Sequence, residues 1–493
     1  MRKQISTLEQ YLHKVWKAQA FEGKLKTKEG EDIEVFSPGE ENLDKSGPDF
    51  LNAKIRIGSL VFVGDVEIDA SYNGWKQHGH NIDGHYNKTI LHVIFENKQN
   101  HSYVYTKGGR KVPILQVDKI ISKDYLNAIK NQELPEEKSI KLKIRCEENV
   151  LTTDYFLRER FVAKLGAAKF EAKIEKMFHR LKELKFLEEN KIEEPKINFS
   201  LTPEYENAGF SDFDFRNKEL WQQLFYEFLF EALGYTQNKH SMLKLSRLAE
   251  LSFLKKIGRD ENYLEKIQAV LFRISGLLTT PIETEDNEMN EFQNRLSAYW
   301  NELKTLYDSE YLDETDWHFF RMRPQNFPTV RIAAGAYFID KILNGNLISE
   351  LVDLIKSTKS NKKIISEIRN AFVLKSFSVW KNHYVFYKKS KSEIRYLVGL
   401  SRADEIIVNV LLPFLALYFK VFQLNDYYKR VLKLFTIYEQ KSEYTIVSEI
   451  APILGLQNLT HRTLFIHGIL HLYRSYCSKG KCSECEIGKV VFE

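Results

Sequence analysis

The hydrophobic pattern changes period once along this chain, and that change limits what it can fold into. From about residue 32 to 120, short β-branched or alternating runs dominate: "DIEVF", "AKIRI", "LVFVGDVEID", "KTILHVIFEN", "HSYVYT" and "VPILQV", separated by Gly- and Asn-rich pieces. From about 150 almost to the end, apolar residues recur at three-to-four spacing, as in "RERFVAKLGAAKFEAKIEKMFHRLKEL", "KELWQQLFYEFLFEALGY" and "MNEFQNRLSAYWNELKTLY". Side chains two apart share a strand face, and side chains three or four apart share a helix face. The two stretches therefore call for different structures. The pattern predicts an α+β protein: a mixed α/β domain over 1–135, an α-helical domain over 150–475 and a Cys knuckle over 476–493. Residues 6–20 read as an opening helix, with Ser6 and Glu9 in capping-box spacing. Charge-rich "KNQELPEEKSIKLK" (130–143) reads as a connection, and no fixed-length repeat is evident.

Bulk properties narrow the function classes. A 43% hydrophobic content allows a core of useful size, and 72 basic against 67 acidic residues permit an anionic partner without demanding one. Four cysteines do not make a disulfide scaffold and suit a reducing compartment. "MRKQISTLEQYLHKVWKAQAF" carries charges where a signal peptide has its apolar stretch. "IIVNVLLPFLALYFKVF" (406–422) holds Asn409, Pro413 and Lys420 and falls short of the roughly 20 apolar residues of a span, so it reads as a buried helix. A cytoplasmic protein with no membrane partner is expected.

The stretch "GSLVFVGDVEID" (58–69) raises the sharpest chemical question. As a strand it turns Phe62, Val66 and Ile68 into a core and Asp65, Glu67 and Asp69 the other way. A wet acidic face is the plain explanation. Upstream, "SGPDFLNAKIRI" brings Asp49 to the start of a strand that should form a hairpin with this one around Gly58-Ser59. A two-residue loop sets Asp49 opposite Ile68, on the wrong face. A three-residue loop, or a bulge at Gly64, sets it opposite Asp69 and beside Glu67. Converging carboxylates repel, so such a cluster needs a cation, and hard oxygen ligands suit Mg²⁺ or Mn²⁺.

An Asp in "GPD" followed about 18 residues later by the Glu of "DVEID" on a neighbouring strand resembles the core of the PD-(D/E)XK nucleases. The resemblance implies a restriction-endonuclease-like domain in which Asp49 and Glu67 hold the metal, with Asp65 or Asp69 assisting. The ion would activate a water against a phosphodiester of DNA or RNA. The family's Lys falls at Asp69 here; a migrated Lys or a His would substitute, and Glu9 or Glu22 could add a helix-borne acid. His78, His80, His85 and His92 follow within 15 residues. His78 and His80 are candidates for phosphate contact or leaving-group protonation, a zinc site is a second reading, and polar loop histidines a third. The segment from "LKTKEGEDIEVF" to "HVIFEN", with "FRMRPQNFPTVRIAAGA" and "YCSKGKCSECEIG", also resembles a bacterial family, domain of unknown function 2851, over nearly the full chain.

Two further motifs lie in the helical part. "CSKGKCSEC" spaces Cys477, Cys482 and Cys485 as C-x4-C-x2-C, a metal-binding pattern that needs a fourth donor from Cys146, His467 or His471. It is similar to the cysteine loop that ends endonuclease III-type DNA glycosylases, which implies an iron–sulfur cluster; that family uses four cysteines with a wider first spacing, so zinc, or no metal at all, is the alternative reading. Arg321, Arg323 and Arg331 surround a proline-rich turn with Phe319, Phe320 and Phe327 interleaved. That composition suits phosphates and stacked bases, and equally a loop pinned on a helical core. The turn at 321–336 should feed a helix, its prolines disfavouring helix before Thr329. The expected function is a metal-dependent nuclease-like protein acting on or binding nucleic acid. The alternative is a catalytically inactive nuclease-fold scaffold for nucleic acid or protein partners.

Overall fold

The computed structural model describes residues 7–42, 47–77, 80–81, 83–97, 100–121, 144–190, 205, 209–319, 322–441 and 444–492. Ser6 and the stretch 130–143 lie outside the described residues. The chain divides into two compact units, Met1–Ile140 with Trp317–Pro324, and Lys141–Asp316 with Gln325–Glu493.

The N-terminal unit begins with helix α1 (Thr7–Ala18). Its strands are β1 (Leu25–Lys26), β2 (Asp32–Ser37), β3 (Glu40–Glu41), β4 (Phe50–Ile57), β5 (Leu60–Ser71), β6 (Thr89–Glu96), β7 (Tyr103–Tyr105) and β8 (Lys111–Gln116), with the one-turn helix α2 (Gly74–Gln77) after β5. Each of the six β-rich runs expected from the sequence is a strand. They form one sheet in the order β1-β2-β4-β5-β6-β8-β7, with β3 beside β4. The β5–β6 and β6–β8 pairs are parallel, whereas β4–β5 is an antiparallel hairpin. One face packs Val66, Ile68, Leu91 and Val93 against Leu12, Val15 and Trp16 of α1. Ile94 and Ile114 join Trp75, Tyr86, Val104 and Val112 in a separate core.

The β4–β5 register corrects the expected placement of Asp49. The turn has two residues, since Ile57 pairs with Leu60. Taken alone, that would put Asp49 opposite Ile68. The register slips by one before the strand ends, so that Phe50 pairs with Val66 while Ala53 pairs with Gly64. The extra residue belongs to β4, near Leu51–Asn52, and not to β5 at Gly64. Asn52 takes a positive φ of 56°, and its amide donates to Asp65 Oδ1 at 3.0 Å. Asn tolerates that left-handed conformation better than most residues. Continuing the Phe50–Val66 pairing sets Asp49 opposite Glu67, not Asp69.

The second unit is helical. Its longest helix, Tyr155–Asn190, runs 36 residues and packs against Thr463–Leu472. The two approach so closely at Gly166 and Gly468 that a Cβ on either would overlap a backbone carbonyl of the other helix. Buried Glu227 accepts both Nε and Nη2 of Arg180, at 2.8 and 2.9 Å. The apolar run at 406–422 forms a buried path: helix Leu400–Ile406, a π-helical turn at Ile407–Leu411, then helix Leu412–Val421. Among the described residues no helix is long and apolar enough to cross a membrane. The proline-rich turn feeds a helix that begins at Pro328, one residue before the expected start at Thr329, because proline suits the first helical position. After Cys477 the chain makes a further short helix, Glu486–Phe492, packed in the same unit.

Candidate functional site

The site lies where β5 is paired on both sides. In the parallel register Glu67 stands level with His92, and Asp69 with Ile94. Paired residues point to one face, so Glu67, Asp69 and His92 face together. Glu67, Asp69 and His92 are fully buried, and His80 is 2% exposed. A chain does not bury such groups without partners. His80 Nε2 lies 2.8 Å from Glu67 Oε1 and 3.9 Å from Asp69 Oδ2. His92 Nε2 lies 3.0 Å from the same Asp69 oxygen. The Asp49 amide donates to Glu67 Oε2 at 3.1 Å. One ligand atom each from Glu67, Asp69 and His80 lies within 4.8 Å of the others.

Aromatic rings wall this group. His80 stacks on Tyr86 with centroids 4.0 Å apart and meets the edge of Trp75 at 5.4 Å; His92 sits 5.0 Å from Trp75. Trp75 is anchored by its indole N–H on the Tyr105 carbonyl at 2.9 Å. Burial, then Glu67, Asp49, Asp83 and Asp69, push the Tyr86 phenol well above its ordinary value. It therefore stays neutral and donates to the Gly47 carbonyl at 3.1 Å. Gly74, opening α2, leaves room for the Asp69 carboxyl, which a Cβ at that position would overlap.

The other sequence-derived candidates sit at different distances from this centre. Asp49 is 5% exposed, but its carboxylate turns to the Ile68 amide at 3.0 Å and to His13 Nε2 at 3.3 Å. It is outside the group of ligand atoms that converge, and its contribution to Glu67 is its backbone amide. Asp65 holds the β4 bulge; burial raises its carboxyl against the Asn52 amide and Lys88, which lower it. Glu9 is buried on α1 and reaches the Ala70 amide at 3.4 Å, whereas Glu22 is exposed. His85 pairs with Asp83 at 2.7 Å. Burial acts to raise Asp83, and the His85 bonds outweigh it, leaving that carboxyl below its usual range. His78 lies outside the described residues.

Sequence reasoning missed His13, Trp75, Tyr86 and Gly74. Only His13 left a usable signal: it follows Glu9 by four positions, one helical turn along the same face. The family described as Protein of unknown function (DUF2851) matches residues 9–192 and 213–443. The chain belongs to this family. Comparison with curated proteins and with solved structures gives no match. The first DUF2851 segment contains Glu9, His13, Asp49, Glu67, Asp69, His80 and His92, so the whole centre falls within it.

The three C-terminal cysteines fall beyond the second DUF2851 segment. None of the four cysteines is in a disulfide. Cys146 and Cys477 pack on the apolar cluster that contains Cys485. Burial, then the neighbouring sulfurs, pushes the Cys146 thiol up to about 11 and Cys477 to about 12. Cys485 is raised by burial while accepting the amides of Gly488 and Ile487. Of the three candidate fourth donors, Cys146 is the one that packs with the C-terminal cysteines. His471 instead contacts the Leu165 carbonyl and His467 faces Lys173. In the proline-rich turn, Arg323 is exposed, and Arg321 lies outside the described residues. Arg331 is 3% exposed and donates to the Leu397 carbonyl, to Asn326 Oδ1 at 2.9 Å and to the Tyr235 hydroxyl at 3.2 Å. That pattern is the pinned loop, with its guanidinium spent inside the helical unit.

Proposed function

We propose that this DUF2851 chain is a divalent-metal-dependent phosphodiesterase of the nuclease type, with DNA or RNA as its substrate class. The observation that carries the reading is the meeting of Glu67, Asp69 and His80 within 4.8 Å. Donors bound to one ion at about 2–2.6 Å span no more than about this distance. Two carboxylates and an imidazole favour Mn²⁺ over Mg²⁺. When bound, such an ion lowers the pKa of a water and polarises a phosphoryl oxygen. The chain's own groups do the positioning. His92 fixes Asp69 through Oδ2, and the Asp49 amide fixes Glu67 through Oε2. Tyr86 and Trp75 hold the His80 ring against both. Among the described residues no three of the four cysteine sulfurs lie within 4.8 Å of one another, so zinc or an iron–sulfur cluster there would require them to draw closer.

A second reading is favoured by the near-complete burial of Glu67, Asp69 and His80, and by Asp69 standing at the nuclease Lys position. In it the unit is an inactive nuclease-fold scaffold that binds nucleic acid or protein. Incubation with single- and double-stranded DNA and RNA in Mn²⁺ or Mg²⁺ separates the two. The enzyme reading expects metal-dependent cleavage that Glu67→Gln and Asp69→Asn each lower by about 100-fold or more. Cleavage that survives both substitutions sinks the site. Retarded mobility without cleavage, in every metal, supports the scaffold. Elemental analysis of the same wild-type protein and of Cys485→Ser tests the cysteine metal, which is expected only in wild type.

A further inference from the structure

The helical unit contains a cavity of about 630 Å³ that the nuclease reading does not use. Its wall carries six cationic side chains, Lys169, Lys173, Lys176, Lys239, Arg402 and Arg474, against two carboxylates, Glu231 and Glu405. The whole chain carries only +5, so this is a local concentration of charge. Lys176 is neutralised by Glu231 at 2.9 Å. Glu405 is taken up by neutral donors, the Asn409 amide at 2.8 Å and the Tyr444 hydroxyl. Among the described residues Lys169, Lys239 and Arg474 have no ion-pair partner, and Arg402 Nε is buried without a hydrogen-bond acceptor. Arg402 lies over the Tyr235 ring, 3.0 Å from its centroid, and donates to the Ala232 carbonyl at 3.1 Å.

Two π-helical turns frame the cavity. Ile407–Leu411 contributes Asn409 and Val410, and Tyr473–Cys477 contributes Arg474 and Ser475. Such turns are rare and occur often at functional sites, because the extra residue re-aims side chains. Lys173 lines the cavity beside the first of these turns, with its ammonium 2.7 Å from Asn409 Oδ1 and 3.2 Å from His467 Nδ1 on the helix that leads into the second. Burial pulls that ammonium down to about 7; Glu405 opposes the change, and Lys169 and Lys239 add to it. Burial, then Lys173 and Lys169, holds His467 well below its ordinary value. The protein thus keeps a poorly compensated cation inside a cavity large enough for a small molecule. An incoming anion removes that cost.

We infer that this cavity binds a phosphate-bearing small molecule of nucleotide size, its phosphates held by Lys173, Arg402 and Arg474. Phosphate fits better than carboxylate because several oxygens can meet separate cations at once. The walls contributed by Met177, Phe228 and Leu470 offer an apolar surface for the remainder of the ligand. This assignment is independent of the metal centre in the other unit.

The test is thermal unfolding of the full chain with inorganic phosphate, pyrophosphate, ATP, adenosine, citrate or a short DNA oligonucleotide at matched ionic strength. Pyrophosphate or ATP is expected to raise the midpoint saturably, whereas adenosine and citrate leave it unchanged. Arg474→Gln, an exposed position that does not threaten folding, should raise the half-saturating concentration by roughly tenfold, the worth of one charge-assisted bond. Lys173→Met should abolish the shift, and Lys107→Met, an exposed lysine of the N-terminal unit, should retain it. Glu67→Gln should also retain it. The assignment is overturned if no phosphate probe shifts the wild type at millimolar concentration. It is equally overturned if Arg474→Gln and Lys173→Met respond like wild type, or if only the oligonucleotide acts.

Discussion

Gly74 is the residue on which the geometry of the proposed metal centre most directly turns, although it carries no functional atom. A methyl group there would overlap the Asp69 carboxyl, so Gly74→Ala must displace that carboxylate or the turn that carries Trp75. The overlap is expected to destabilise the N-terminal unit by about 1–3 kcal/mol. It should also weaken Mn²⁺ binding by roughly tenfold or more, as loss of an orienting contact does. Urea denaturation and calorimetric titration read the two effects separately. An unchanged Mn²⁺ affinity would remove Asp69 from the ligand set. Tyr86 belongs to the same scale: its buried phenol lies near four carboxylates and stays a hydrogen-bond donor at any ordinary pH.

At the scale of elements, the β4 bulge decides which carboxylates can meet. Without the extra residue, the two-residue turn would align Asp49 with Ile68 and turn Asp49 to the other face of the sheet. Asp65 secures the bulge by accepting the Asn52 amide in its left-handed conformation. Asp65→Ala leaves that amide without its acceptor and should cost about 1–3 kcal/mol, while Asp65→Asn, which keeps an oxygen, should cost less. Register slippage would show as lost Mn²⁺ affinity in Asp65→Ala alone. Equal stability of the two variants would mean that the bulge holds without this contact. In the helical unit, the π turns do for the cavity what the bulge does for the sheet: each inserts one residue and re-aims its neighbours.

On the scale of the whole molecule, the buried Lys173 ammonium makes stability depend on pH. Its folded value of about 7 lies below the ordinary 10.5, so between these the unfolded chain holds a proton that the folded chain has released. The stability associated with the neutral amine is full above 10.5 and is lost as pH falls through about 7. Ligand-free Lys173→Met should therefore unfold at a higher temperature than wild type at pH 7, and the gap should narrow as pH rises toward 10. A gap that is constant with pH, or that widens, contradicts the shifted ammonium. The near balance of charge over the chain, +5 overall, conceals this feature because acidic residues elsewhere offset the cavity's cations.

Sequence alone determined the class of fold, since a period of two and a period of three to four bury different faces and cannot be exchanged. It also placed Glu67, Asp69 and His80 among the candidates, because alternation along β5 and a concentration of histidines are local signals. It left open whether Asp49 would share their face, which hung on one inserted residue whose cost depends on Asp65 across the hairpin. Only the tertiary structure brought His13, Trp75 and Tyr86 around the centre, chose Cys146 as the neighbour of the C-terminal cysteines, and spent Arg331 on internal carbonyls. The cavity was hidden for the same reason: its lysines and arginines are scattered along several helices. Long-range packing sets which separated residues meet, and spacing along the chain carries no record of it.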